Sequence, residues 1–206
     1  MKISVIIPVY NLENYLTTCL ESVSMQNFDR NEFEVLVVFD SCTDGSKAKY
    51  EAWKTANPDI NTKSFDVKYQ KAGLARNVAI DNASGEWLMF VDGDDFLLDC
   101  RAFDILYNAG ASEEGITCVF ANDYETNIKR IPLTKPLWRH FLKREVVEEL
   151  RLDDSPTSEH LNFLSSIKAK ELHKEKVIDF CYYDYRHLRE GSVTHTRLKE
   201  KRENLL

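Results

Sequence analysis

Trp87-Leu88-Met89-Phe90-Val91 runs straight into Asp92-Gly93-Asp94-Asp95. Five apolar residues in a row read as a strand buried on both faces, and the carboxylates mark where it meets solvent. Three carboxylates this close repel one another unless a cation or water relieves them. Oxygen-only ligands favour a hard divalent ion such as Mg2+ or Mn2+, and such an ion favours a phosphorylated ligand. A plain solvated acidic turn is the alternative. An EF-hand loop is excluded, because the positions for its Gly and Glu, counted from Asp92, hold Leu97 and Phe103.

Working outward, Ile3 to Val9 is a β-branched run that also suits a strand buried on both faces. Asn11 is placed to cap a helix carrying Leu12, Tyr15, Leu16, Cys19, Leu20 and Val23 as far as Met25. Phe33 to Phe39 reads as a second buried strand. The turn from Asp40 to Ser46 is rich in capping residues, and a charged helix over 46–56 follows, closed by Asn57-Pro58. Phe65 to Tyr69 reads as a short third strand. Gly73 to Ala83 has helical spacing, with Ser84-Gly85 as its stop.

The second half is less regular. Ile116 to Ala121 suits a strand, and a basic, partly amphipathic helix is expected within 135–150. There Lys135, Arg139, Lys143 and Arg144 interleave with Trp138, Phe141 and Leu142. A helix is expected from about Leu161, a late strand over 180–185, and a charged tail from Arg197.

Strands alternating with helices imply an α/β fold with a mostly parallel sheet flanked by helices. Ligands of such sheets sit at the carboxyl ends of the strands. Three of those ends are polar here: Pro8 to Asn11, Asp40 to Asp44, and Asp92 to Asp95. No Gly-x-Gly-x-x-Gly follows the first strand and no Walker A loop exists, which counts against NAD enzymes and P-loop NTPases. Phosphates must then be held by a metal and side chains.

The 206 residues suit one domain, and a net charge of −7 argues against a general nucleic-acid binder. Five scattered cysteines without metal spacing fit a reducing compartment. The apolar run near Met1 is too short for a signal peptide, and no stretch is long enough to span a membrane. A cytoplasmic protein is expected. The 135–150 helix has two readings, an ordinary amphipathic helix with its basic face in solvent or a peripheral contact with the inner face of a membrane.

Four ordered motifs resemble family 2 glycosyltransferases, inverting enzymes of the GT-A fold. They are Ser4 to Asn11 with Tyr15-Leu16 and Cys19 to Val23; Glu34 to Ser46; Gly73-Leu74-Ala75-Arg76-Asn77; and Gly85 to Asp95. The resemblance implies a Rossmann-like nucleotide-diphospho-sugar transferase fold. Residues 1–95 would form the donor half, and 96–206 the acceptor half and tail.

The resemblance also implies roles. Pro8, Tyr10 and Glu13 would border the nucleotide, Asp40 would accept a hydrogen bond from the base, and Arg76 would lie near base or phosphates. Asp92 would approach the ribose, and Asp94 would ligate Mn2+ or Mg2+ on the diphosphate of a UDP-sugar. Tyr182 to Thr194 resembles the family's closing segment, so Arg186, Arg189 and Ser192 would cover the diphosphate and His195 would complete the metal shell. The catalytic base stays open between Glu159 and His160, because His160 stands where the family often has Asp. Each residue also has a plain structural role available, as a cap, a strand end or a surface charge.

The chain departs from the family pattern at Ser41 and Cys42, where Gly and Ser are usual, and at Ala79, where Gly is frequent. The Asp95-to-Glu159 interval is short, which bears on the acceptor, a glycan or lipid-linked glycan. Two rival functions remain: a nucleotidyltransferase, which would need a Gly-rich basic loop where Val9 to Glu13 stands, and a nucleotide-sugar binding protein without catalysis.

Overall fold

A computed structural model describes residues 1–121, 137–148, 150–154, 159–169, 174–180 and 182–184. The first strand, β1 (Ile3–Val9), lies between two cores. Ile3, Val5, Ile7 and Val9 face one core and Ile6 faces the other. This is the period of two that a strand covered on both sides must show. β2 (Phe33–Asp40) is buried at every position. β3 (Asn61–Val67) pairs with β2, and β4 (Trp87–Phe90) pairs with the other side of β1. These pairings are all parallel, so each connection has to cross over the sheet. The crossovers are α1 (Leu16–Ser24), α2 (Ser46–Ala56) and α3 (Ala72–Asn82).

Leu16, Leu20 and Val23 of α1 join Tyr50 and Trp53 of α2 in the first core, while Ala75, Ala79 and Ile80 of α3 fill the second. Each aliphatic side chain buried in this way contributes about 1.5–3 kcal/mol. Beyond β4 the chain forms β5 (Phe96–Leu97) and α4 (Ala102–Ala111), two elements that periodicity alone does not assign. α4 lays Phe103 and Leu106 on the first core. Gly110 permits its approach, since a Cβ there would come 2.6 Å from the Trp87 ring.

β6 (Cys118–Ala121) falls within the expected strand. The 135–150 segment differs from expectation. A 3-10 turn over Leu137–Arg139 leads into a strand, β7 (His140–Lys143), and then into one helical turn, α5 (Arg144–Val147). β7 enters the sheet between β4 and β6, antiparallel to both. A helix would set Phe141 and Leu142 on one side, but the strand sends Phe141 to the first core and Leu142 to the second. Phe141 also stacks on Trp87, with centroids 5.0 Å apart. Arg139 is buried, and Arg144 is held by the Gly85 carbonyl and by Glu148. The basic helical face on which membrane contact was expected is therefore not formed by these residues. Lys135 lies outside the described residues. No helix among the described residues is long and apolar enough to cross a membrane.

α6 (Glu159–Ala169) packs Phe163, Leu164 and Ile167 on the second core. β8 (Glu175–Ile178) pairs with β6 and completes a seven-stranded sheet of order β3-β2-β1-β4-β7-β6-β8. Of the late strand expected over 180–185, Tyr183–Asp184 (β9) pairs antiparallel with β5.

Three smaller differences have local causes. Asn11 does not cap α1: its φ is 51° and its Oδ1 accepts the Thr43 amide. β3 ends at Val67 rather than Tyr69, because the amides of Tyr69, Gln70 and Lys71 turn toward Asp40. Ala83, in an extended conformation, closes α3. Gly85 instead permits a close backbone approach, since its Cβ would lie 2.4 Å from the Ser4 amide nitrogen.

Candidate functional site

The carboxyl ends of β2, β1 and β4 are adjacent. Val9 pairs with Phe39, so Tyr10 and Asp40 leave the sheet side by side. Ile6 pairs with Phe90, so Asp92 comes level with Pro8. The described non-glycine residues with positive φ are Asn11 (51°), Ser41 (58°) and Gln70 (53°), and each follows a strand at this edge. Such conformations persist only where surroundings enforce them, and they concentrate at functional sites. The φ of Ser41 also explains why glycine is the easier residue there.

Asp40 is 3% exposed. Its Oδ1 accepts the amides of Tyr69 and Gln70, and its Oδ2 accepts that of Lys71, each at 2.8 Å. The Ser41 hydroxyl adds a bond to Oδ1 at 3.1 Å. Successive amides at a helix start form an anion-binding concavity, and here the carboxylate of Asp40 occupies it at the head of α3. Among the described residues Oδ2 has the single donor, which leaves it with acceptor capacity. Tyr10 stands beside it, 55% exposed. Cys42, in the family's serine position, keeps a bond to this edge by donating its thiol to the Val9 carbonyl at 3.2 Å. Burial raises the pKa of that thiol.

The carboxylate turn is held from three sides. Arg76 of α3 donates from Nη2 to Asp92 Oδ1 at 2.5 Å. Gly93 lies against the end of β1, where a Cβ would be 2.9 Å from Leu12 Cδ1 and 3.1 Å from the Pro8 carbonyl. Tyr183 of β9 accepts the Asp92 amide and donates to Asp95 Oδ2, both at 2.9 Å. Burial first, then the nearby charges of Asp92 and Asp95, push the Tyr183 phenol well above its ordinary pKa, so it remains a donor. Half-buried Asp94 lies between the two pinned residues.

Glu13 is exposed and works on the start of α2. Its amide donates to Asp44 Oδ2 at 2.9 Å, and its Oε2 accepts the Gly45 amide at 3.0 Å. Burial would raise the Asp44 pKa, but bonds from the Ser46 hydroxyl and from the Glu13 and Ser46 amides outweigh it and lower it. Glu159 and His160 open α6, with side chains outside the described residues. Arg186, Arg189, Ser192 and His195 also lie outside them. Sequence reasoning gave no role to Asn77 or Tyr183. Asn77 falls inside a quoted motif, yet its partner Leu152 is distant in the chain and no local pattern points to it.

No group of three or more His, Cys, Asp and Glu side chains able to hold a metal occurs among the described residues. The residues present still fit a cation shared with a diphosphate. Mg2+-type ions take one or two carboxylates and fill their shell with substrate phosphates and water. Asp92 and Asp95 are bonded to Arg76 and Tyr183, and half-buried Asp94 lies between them.

This sheet order and ligand edge define a GT-A-type α/β fold. The chain belongs to glycosyl transferase family 2, whose model matches residues 4–166. It is 39% identical over 97 residues to the poly(ribitol-phosphate) beta-N-acetylglucosaminyltransferase TarS of Staphylococcus aureus, a match covering 47% of this chain and 17% of TarS. It is 29% identical over 232 aligned residues to the glycosyltransferase GlyA of Streptococcus pneumoniae, covering 94% of this chain and 31% of GlyA. The chain thus spans less than a third of either relative. The crystal structure of S. aureus TarS 1-349 in complex with UDP-GlcNAc superposes with a TM-score of 0.78 at 25% identity, over 95% of this chain and 61% of that one. The mannosyltransferase PcManGT from Pyrobaculum calidifontis, in complex with GDP-Man and Mn2+, gives 0.80 at 20% identity over 99% of this chain and 61% of its own, a likeness of fold.

Proposed function

We propose that this chain is an inverting glycosyltransferase that moves a sugar from a UDP-sugar to a hydroxyl of a glycan or lipid-linked acceptor. The observation that carries this reading is the convergence of Tyr10, Asp40, Asp92 and Asp94 on three adjacent strand ends in a family 2 chain. The likeness to TarS with UDP-GlcNAc bound supports a uridine donor. Residues 1–95 serve the donor and residues 96–206 the acceptor. Both halves share one sheet, since β7 pairs with β4.

Tyr10 and Asp40 Oδ2 hold the base, with Pro8 and Glu13 bordering it. Asp92, locked by Arg76, approaches the ribose. Asp94 would hold Mn2+ or Mg2+, and His195 would complete its shell. Such a cation, when bound, neutralises leaving-group charge. Arg186, Arg189 and Ser192 cover the diphosphate. Glu159, ionised, or His160, neutral, accepts the acceptor hydroxyl's proton. The acceptor oxygen then bonds to the anomeric carbon as the carbon–diphosphate bond breaks on the opposite face. One displacement inverts the configuration and needs no covalent enzyme intermediate.

Calorimetry of UDP with and without Mn2+, on the native chain and on Asp94→Ala, tests the donor site. Metal-dependent binding that disappears in the variant is expected. Absence of UDP binding both with and without Mn2+ would overturn the uridine donor.

A further inference from the structure

We infer that Tyr183 is a positioning residue for the carboxylate turn: its hydroxyl pins Asp92 and Asp95, so that Asp94 is presented in one place to a cation and a diphosphate. The ligand in this inference rests on the glycosyltransferase reading. The pin itself rests on geometry. A phenol has one donor and two acceptor pairs. Tyr183 spends the donor on Asp95 Oδ2 and accepts the Asp92 amide, both at 2.9 Å. The two bonds bracket Asp94, and the Asp95 amide closes the turn on the Asp92 carbonyl at 2.9 Å.

The ring itself is immobilised. It stacks on Trp138 with centroids 4.4 Å apart and planes 4° from parallel. Tyr182 holds that platform by donating to the Trp138 carbonyl at 2.6 Å. The backbone is held too: Tyr183 pairs with Leu97, and the Leu98 amide donates to the Tyr182 carbonyl at 2.8 Å. The hydroxyl therefore cannot swing away without breaking the stack on Trp138 or unpairing β9 from β5.

The turn needs such a hold. Three carboxylates in four residues repel one another. Arg76 ties the first and Tyr183 the third, and Asp95 is 1% exposed. A cation that binds through one protein carboxylate and a diphosphate gains most when that carboxylate is already in place.

Tyr183→Phe keeps the ring and its stack and removes both bonds. Hydrogen exchange at the Asp92 amide should quicken about tenfold or more. In calorimetry, the gain in UDP affinity that Mn2+ confers should fall about tenfold, while affinity without metal, which Asp40 and Tyr10 sustain alongside Asp92, falls less. That metal-free affinity also reports that the variant is folded. A variant with native Mn2+ dependence would overturn the inference and leave the donor reading standing. A native chain that binds UDP with no response to Mn2+ would overturn the inference together with the metal role of Asp94.

Discussion

Asn77 and Leu152 exchange two hydrogen bonds. Asn77 Nδ2 donates to the Leu152 carbonyl at 2.8 Å, and the Leu152 amide donates to Asn77 Oδ1 at 2.9 Å. A side-chain amide thus does for 150–154 what a neighbouring strand would do. Lys71 Nζ adds a bond to the Asp154 carbonyl at 2.9 Å, and Asn162 of α6 donates to Asp153 at 2.6 Å. The two adjacent residues on α3 therefore divide their work. Arg76 steadies the carboxylate turn, and Asn77 steadies the run of chain that leads to α6.

Asn77→Ala should cost about 1–3 kcal/mol, since it leaves the amide and carbonyl of buried Leu152 without these partners. Asn77→Asp keeps the acceptor, loses the donor and should fall between the two. Urea denaturation of the three proteins measures this. An alanine variant as stable as the native chain would show that the pair holds nothing.

The Arg76–Asp92 pair should prove asymmetric. The Arg76 side chain is 9% exposed and that of Asp92 is 28% exposed. Asp92→Asn takes the negative charge from beside a buried guanidinium, whereas Arg76→Met leaves a carboxylate that can still hydrate. The first change should cost about 2 kcal/mol, less than a fully buried pair would, and the second somewhat less. The double variant should be more stable than the sum of the two costs predicts. A strictly additive cycle would mean that the two groups do not cooperate.

How far the sequence revealed this molecule depended on burial. β1, β2 and β4 were legible because a strand covered on both faces is apolar whatever lies around it. α2 matched its expected span because Gly45, Ser46 and Asn57 bound it chemically. The 137–147 stretch was not legible, because Phe141 and Leu142 enter different cores and a helical pattern imitates that spacing. Asp40 and the Asp92–Asp95 turn stood out at strand ends. The Tyr183 pin did not, because the bond from the Asp92 amide to its hydroxyl spans 91 residues and depends on β9 finding β5.

Glu34 gives a pH dependence of known sign. Its buried Oε1 accepts the hydroxyls of Ser4 and Ser84, each at 2.7 Å, and the Ser84 amide at 2.6 Å, while Lys63 lies 2.9 Å from Oε2. Burial alone would raise its pKa, but these four donor groups of three residues outweigh burial and hold it below the ordinary 4.5. A folded-state pKa below the unfolded value means that stability is present above 4.5 and is lost as pH falls through the folded value. Glu34→Gln should therefore destabilise by about 1–3 kcal/mol at pH 7. The gap should shrink as pH drops below 4.5. Denaturant titrations across that range give the answer, and a gap constant with pH would contradict it.

Gly93 tests whether the carboxylate turn must rest on β1. Its conformation alone does not require glycine, since its φ is not in the left-handed range. The constraint is space: a Cβ would lie 2.9 Å from Leu12 Cδ1, 3.1 Å from the Pro8 carbonyl and 3.4 Å from Val9 Cγ2. Leu12 can yield by changing rotamer, but the Pro8 carbonyl belongs to the backbone of β1, which is paired with β2 at that residue and yields less easily. The turn must then lift from β1, against the hold of Arg76 on Asp92 and Tyr183 on Asp95. Overpacking of this kind costs about 1–3 kcal/mol. Gly93→Ala should therefore lower stability by that amount and weaken Mn2+-dependent UDP binding more than metal-free binding, because the shift falls on Asp94 rather than on Asp40 or Tyr10. Equal loss in both conditions would mean that the alanine disturbs the whole edge and that the turn is not separately positioned.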